Sequence, residues 1–188
     1  RNGAFDGVDN VLLSHPFSYT AIDPGALSVT RYTIIFTGRQ SHAAAAPHEG
    51  INALDAVNLM FAGIGAWRQQ LPPGGMVHGI ISDGGDAPNI IPGSATAEFY
   101  IRSAEKNTQA IMENRLENIA AGAALMTGCE LDIKRCDNPY EPTLLNHDLA
   151  SLPCHADLKC CWSIHTFSSG HFFSCQDYGV LKILYLGI

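Results

Sequence analysis

Gly38–Asn52, GRQSHAAAAPHEGIN, is the stretch from which the rest of the chain is read. His42 sits in a short polar turn, and the four alanines after it let backbones come close. Pro47 and Glu49 then predict a helix start, because proline suits the first helical turn and an acidic group suits the positive end of the helix dipole. Upstream, Leu27–Thr37 alternates, with Tyr32, Ile34 and Phe36 on one face and Ser28 and Thr30 further along it; β-branched and aromatic residues dominate, as in a strand. Downstream, Ile51, Leu54, Val57, Phe61 and Ile64 recur at spacings of three and four, which predicts a helix of about five turns through Leu54–Arg68. It stops before Pro72-Pro73-Gly74-Gly75. His42 therefore lies at a strand-to-helix junction, where folds commonly mount chemistry.

Further strands and a second helix follow. Met76–Ser82 reads as a strand, Asp83-Gly84-Gly85-Asp86 with Pro88 as a tight connection, and Ala95–Ser103 as a third strand with Phe99 and Ile101 on one face and Glu98, Tyr100 and Arg102 on the other. Met112, Leu116, Ile119, Ala123 and Met126 mark a second helix that ends at Thr127-Gly128, and Cys129, Leu131 and Ile133 mark a fourth strand. The order β-α-β-β-α-β over residues 27–136 predicts an α+β, ferredoxin-like domain: a four-stranded antiparallel sheet with two helices on one face. The expected boundaries are 1–24, 25–138 for this domain, and 139–188. A sheet this small leaves edge strands unpaired, so a dimer is expected.

The flanks are less regular. Val8–Leu13 reads as a strand running to Ser14-His15-Pro16, and a residue before proline is held extended, so His15 is displayed at the strand's end. Leu144–Leu152 has the composition of a helix start, Pro153–Gly170 has no period, and Tyr178–Ile188 is apolar. The first residue is Arg1 rather than methionine, which suggests a longer parent chain.

A net charge of -7 and a pI near 5.5 leave no basic face for nucleic acid. No apolar run approaches the roughly 18 residues of a membrane span, and the expected setting is cytoplasmic. The six cysteines are too unevenly placed for a disulfide scaffold. Cys160, Cys161, His165, His171 and Cys175 lack the paired spacing of a structural zinc site.

Three residues point to a polar ligand: His42 on its turn, Asn89 between Pro88 and Ile90-Ile91-Pro92, and Arg102 at a strand's polar end. Arg offers a fork of N–H donors to a carboxylate, and Asn and His add directional hydrogen bonds. The residues alone leave two readings open, anion recognition or three unrelated structural side chains. For a hydrolytic metal centre only His15 has a convincing setting; His48, near a helix start, and His78, inside a strand, read as structural.

Gly38-Arg39-Gln40-Ser41-His42-Ala43-Ala44, then Pro47, Glu49-Gly50-Ile51-Asn52-Ala53 and Asp55-Ala56, resembles the opening of the dimerisation (lid) domain of aminoacylase/carboxypeptidase-type metallopeptidases. HGIISDGGDAPNIIP and EFYIRS are similar to the branch that cleaves Xaa-Arg or β-alanyl dipeptides and N-acyl amino acids. The likeness runs from about residue 3 to about residue 146. It implies that His42 crosses the dimer to polarise the scissile carbonyl in the partner's site, that Asn89 and Arg102 hold the substrate's terminal carboxylate, and that His15 is a metal ligand. It further implies zinc or another divalent ion in the complete enzyme. The remaining ligands and the general base would lie in a catalytic domain of which this chain carries only pieces, so it is expected to be inactive alone. The alternative is a non-catalytic dimerising module.

Overall fold

The computed structural model describes the backbone of residues 11–15, 21–22, 25–135, 138–143 and 180–184, and the side chains of 25–135 and 138–143. In chain order the regular elements are β1 (Val11–His15), β2 (Ala21–Ile22), β3 (Thr30–Thr37), β4 (Ser41–His42), α1 (Ala53–Trp67), β5 (Met76–Asp83), β6 (Ile90–Ile91), β7 (Ser94–Arg102), α2 (Lys106–Thr127), β8 (Glu130–Arg135) and β9 (Val180–Leu184). They fall into two compact units, Leu27–Pro142 and Arg1–Ala26 with Thr143–Ile188.

In the larger unit β5, β7, β3 and β8 form, in that order, a wholly antiparallel sheet. Register aligns the apolar faces: Tyr32, Ile34 and Phe36 of β3 lie opposite Phe99, Ala97 and Ala95 of β7. These six residues are at most 1% exposed and join the buried side of α1 and α2 in one core. Among the described residues the other face of the sheet carries no helix, and it alternates with the first, as period two requires. This is the α+β fold that the sequence pattern predicts.

Three expectations are corrected. Pro47 and Glu49 do not open α1; they form a separate 3-10 turn, Pro47–Glu49, and the helix begins only after Asn52, whose Oδ1 accepts from the amides of Leu54 (3.0 Å) and Asp55 (3.3 Å). The cause lies in Ile51: its N–H donates to Arg39 O and its C=O accepts from Arg39 N, both at 2.9 Å, so its backbone is committed to an extended bridge. α1 has 15 residues, within one residue of the expected Leu54–Arg68 at each end, which makes about four turns and not the expected five. Its buried stripe is also rotated. Ala53, Ala56, Val57, Met60, Ile64 and Trp67 face the core, while Leu54 and Phe61 lie partly buried beside it. Small residues at the start of the stripe, Ala53 and Ala56, give way to Met60, Ile64 and Trp67 further along it. In α2, Met112, Leu116 and Ala123 are buried as expected, but Met126 is 67% exposed. The helix ends at Gly128, φ 74°, in the left-handed conformation that glycine favours.

Polar groups under α2 are satisfied together. Thr30 and Gln109 both donate to Oε1 of buried Glu113, whose Oε2 meets Arg135 Nη2 at 2.9 Å. Helix α2 is thereby tied to both β3 and β8.

In the smaller unit β9 lies between β1, antiparallel to it, and β2, parallel to it. The first strand is described over Val11–His15 and overlaps the expected Val8–Leu13, whose first three residues lie outside the described ones; β9 falls in the apolar terminal run, to which sequence reading assigned no element. The expected helix start at Leu144–Leu152 and the tail cysteines and histidines lie outside the described residues.

Candidate substrate-binding site

His42 is positioned by backbone. β4 pairs with β6, His42 opposite Ile90, and Ala43 N donates to Asn89 O at 2.9 Å, so His42 and Asn89 are neighbours in one loop cluster. Ala46 N donates to His42 O at 3.0 Å, closing a turn through the alanines. Inside that turn the amides of Ala44 (3.2 Å) and Ala45 (3.1 Å) both donate to His42 Nδ1. A nitrogen that accepts two N–H groups carries no proton of its own, so in the neutral ring the proton resides on Nε2. The ring is exposed and presents that Nε2–H outward, as a donor suited to a carbonyl oxygen that gains charge. Beside the turn lies a cleft of about 460 Å³ lined by Ala43, Leu54, Gly85, Asp86, Pro88 and Ile91.

Arg102 is elsewhere. β7 has nine residues, so at about 3.3 Å per residue its two ends lie roughly 26 Å apart. Ser94 pairs with Thr37 at the end that continues into the His42 cluster, and Arg102 closes the other end, opposite Met76. Within one copy the structure brings His42 and Asn89 together and holds Arg102 apart. The residues alone leave open whether the three form one set, because a sequence does not show that the segment between Asn89 and Arg102 is spent almost wholly as one extended strand.

Arg102 has company that sequence reading missed. On the helix-free face Arg31 of β3, Tyr100 of β7 and His78 of β5 form a cross-strand row. The Arg31 guanidinium lies 4.9 Å from the Tyr100 ring centroid, and the His78 ring 5.8 Å from it. Burial first, then the charges of Arg102 and Arg68, push the His78 pKa below its usual 6.5. Only strand register, which one sequence does not supply, places Arg31 in this row.

The other candidates resolve unevenly. His48 is exposed in the 3-10 turn, and His78 is largely exposed on β5 with one side of its ring toward Tyr100. The backbone of His15 ends β1, but its ring lies outside the described residues. Among the described residues no three His, Cys, Asp or Glu side chains gather in a way that would hold a metal ion. The described residues alone therefore do not make a metal centre.

The profile of the peptidase dimerisation domain matches residues 26–125. Xaa-Arg dipeptidase of Mus musculus is 37% identical over 149 residues, 79% of this chain and 35% of that protein. Its counterpart in Homo sapiens, also an Xaa-Arg dipeptidase, is 35% identical over 147 residues, 78% of this chain and 34% of that protein. A p-aminobenzoyl-glutamate hydrolase chain of Escherichia coli (strain K12) is 36% identical over 129 residues, 68% of this chain and 27% of that protein. The chain thus spans about a third of the length of the curated relatives it matches. Among solved structures, an amidase of the hydantoinase/carbamoylase family from Burkholderia vietnamiensis superposes with a TM-score of 0.65 at 18% identity, over 88% of this chain and 41% of that one. An aminobenzoyl-glutamate utilization protein from Klebsiella pneumoniae gives 0.58 at 19%, over 76% and 34%. At those identities the structures speak for the fold alone. The profile match covers more than half of the residues, from the run into β3 through most of α2, and the chain belongs to the peptidase dimerisation domain family of the M20 peptidases.

Proposed function

We propose that this chain supplies the dimerising and substrate-gripping part of a metal-dependent hydrolase of dipeptides or N-acyl amino acids. The observation that carries the reading is the separation of His42 from Arg102 across a sheet with an open edge. β5 is that edge, and Met76, Ile80 and Ile81 on it are 48%, 62% and 44% exposed. Such a strand offers unpaired N–H and C=O groups to a second copy. If two copies pair β5 antiparallel about a two-fold axis, the Met76 and Arg102 end of one sheet meets the Asp83 end of its partner, near which Asn89 and His42 lie. Two residues that cannot share a site within one copy then share one between copies.

In that site Arg102 holds the substrate's terminal carboxylate, and Asn89 adds a directional contact from the loop beside His42. The His42 Nε2–H, fixed by the Ala44 and Ala45 amides, donates to the scissile carbonyl oxygen as it gains charge. A divalent ion, zinc by family resemblance, would activate the attacking water in the complete enzyme; His15 is the residue of this chain that the resemblance offers as a ligand.

The test is sedimentation velocity combined with NMR titration of N-acetyl-L-alanine. A dimer that Ile80→Lys turns into monomer is expected, together with acid binding that Arg102→Ala abolishes. A monomeric parent chain, or acid binding untouched by Arg102→Ala, would overturn the reading.

A further inference from the structure

We propose that Arg31 is a specificity-determining residue of the Arg102 site, a second guanidinium that selects substrates whose amino-acid half carries two negative charges over those that carry one. The proposal rests on the carboxylate site argued above, since it assumes that Arg102 grips an acid.

Arg31 pairs with Tyr100, and Arg102 follows Tyr100 by two residues on β7, so Arg31 and Arg102 are diagonal neighbours on the helix-free face of the sheet. Diagonal positions on one sheet face lie about 7–8 Å apart, within joint reach of one small ligand for side chains as long as arginine. Among the described residues neither guanidinium has a carboxylate within ion-pair distance. Glu98 is the carboxylate nearest them along the face of β7, and it pairs with neither. The contrast is with Arg135, whose charge is taken up by Glu113. Two unneutralised cations on adjacent strands repel one another, and an anion between them relieves that cost.

Arg31 is also held in place. Its guanidinium stacks 4.9 Å from the Tyr100 ring centroid, a cation–π contact, while His78 tilts against the same ring from β5. Tyr100 thereby serves as a platform that holds Arg31 on this face of the sheet and reduces the side-chain entropy lost when it binds an anion. The pKa of His78 lies below its ordinary value, first from burial and then from the charges of Arg102 and Arg68. His78 is therefore neutral at pH 7.5, and the positive charge on the row comes from the arginines.

The experiment uses the full chain and two isosteric probes, N-acetyl-L-glutamate and N-acetyl-L-glutamine, titrated by NMR at pH 7.5 and low salt. The glutamate derivative is expected to bind about fivefold tighter, the size of one exposed charge pair, with the preference shrinking at 0.5 M salt. Arg31→Ala should bring the two affinities within twofold of each other, chiefly by weakening the glutamate derivative, and Arg31→Lys should retain part of the preference. Arg102→Ala should weaken both probes. Equal affinities in the parent chain, or a preference that survives Arg31→Ala, would overturn the role of Arg31 and leave the Arg102 site standing. Failure of both probes to bind, or binding indifferent to Arg102→Ala, would overturn the carboxylate site and this inference with it.

Discussion

The amide of Ala45 donates to Nδ1 of His42 at 3.1 Å, and this bond decides which ring nitrogen faces outward with a proton. Ala44 makes the same bond at 3.2 Å, so the tautomer is fixed by two backbone donors rather than by a side chain that could move away. Long-range ¹H–¹⁵N NMR of the histidine rings at pH 8 is expected to show His42 almost wholly as the Nε2–H tautomer. A mixture like that of a free imidazole would mean that the turn does not hold the ring.

If His42 and Arg102 meet only between copies, variants lacking one or the other should complement. His42→Ala and Arg102→Ala chains, each impaired alone, are to be mixed and allowed to exchange partners. About a quarter of all sites should then regain both residues, because half of the dimers are mixed and each of those has one intact site. Binding of a phosphonamidate analogue of an N-acyl amino acid, whose tetrahedral oxygens need both contacts, would read this out. No recovery above the single variants would place both residues in the same copy's site, against the roughly 26 Å that the strand rise puts between the two ends of β7.

His78 gives a signed pH prediction. Its pKa lies below 6.5 in the folded chain, from burial and then from Arg102 and Arg68, while the unfolded chain keeps the ordinary value. The unfolded state therefore binds more protons between the two values, and the contribution of this group to stability rises with pH in that window. It is fully present above about 6.5 and is lost as pH falls through the folded value. An NMR titration should show the depressed midpoint, and Arg102→Ala should move it part of the way back up. No movement would mean that Arg102 does not act on this ring.

Much of the fold was legible because alternation and helical spacing are local. Tyr32, Ile34 and Phe36, and Phe99 with Ile101, announce their faces without reference to any partner, and the β-α-β-β-α-β order then leaves few ways to assemble a sheet. The start of α1 was misread because Pro47 and Glu49 carry a true helix-start signal that a tertiary contact overrides. The extended bridge between Arg39 and Ile51 uses the backbone groups that a continuous helix would need. His42 and Asn89 were legible as polar residues in stiffened loops. Their adjacency, the distance to Arg102 and the Arg31–Tyr100–His78 row depend on register, and β9 depends on pairing between distant parts of the chain.

The bridge between Arg39 and Ile51 also links stability to the site, through Gly38. A Cβ placed on Gly38 would lie 2.1 Å from the carbonyl oxygen of Ile51, a backbone atom that cannot swing aside. The same residue donates its amide to Gly93 O at 2.8 Å, just after β6, whose pairing holds β4 and His42. Gly38→Ala must therefore open the bridge, displace the Gly93 contact, or both. The expected cost is about 2–3 kcal/mol by urea unfolding, the range for backbone strain at a constrained position. The loss should not be confined to global stability: the Ala44 and Ala45 amides should lose hydrogen-exchange protection, and the His42 tautomer preference should weaken. By contrast Gly65, where an added Cβ meets nothing within 4 Å on the surface of α1, should accept alanine with unchanged or slightly higher stability. If Gly38→Ala were as well tolerated as Gly65→Ala, the close approach of the two backbone segments would not exist in solution, and with it would go the account of why His42 is held where it is.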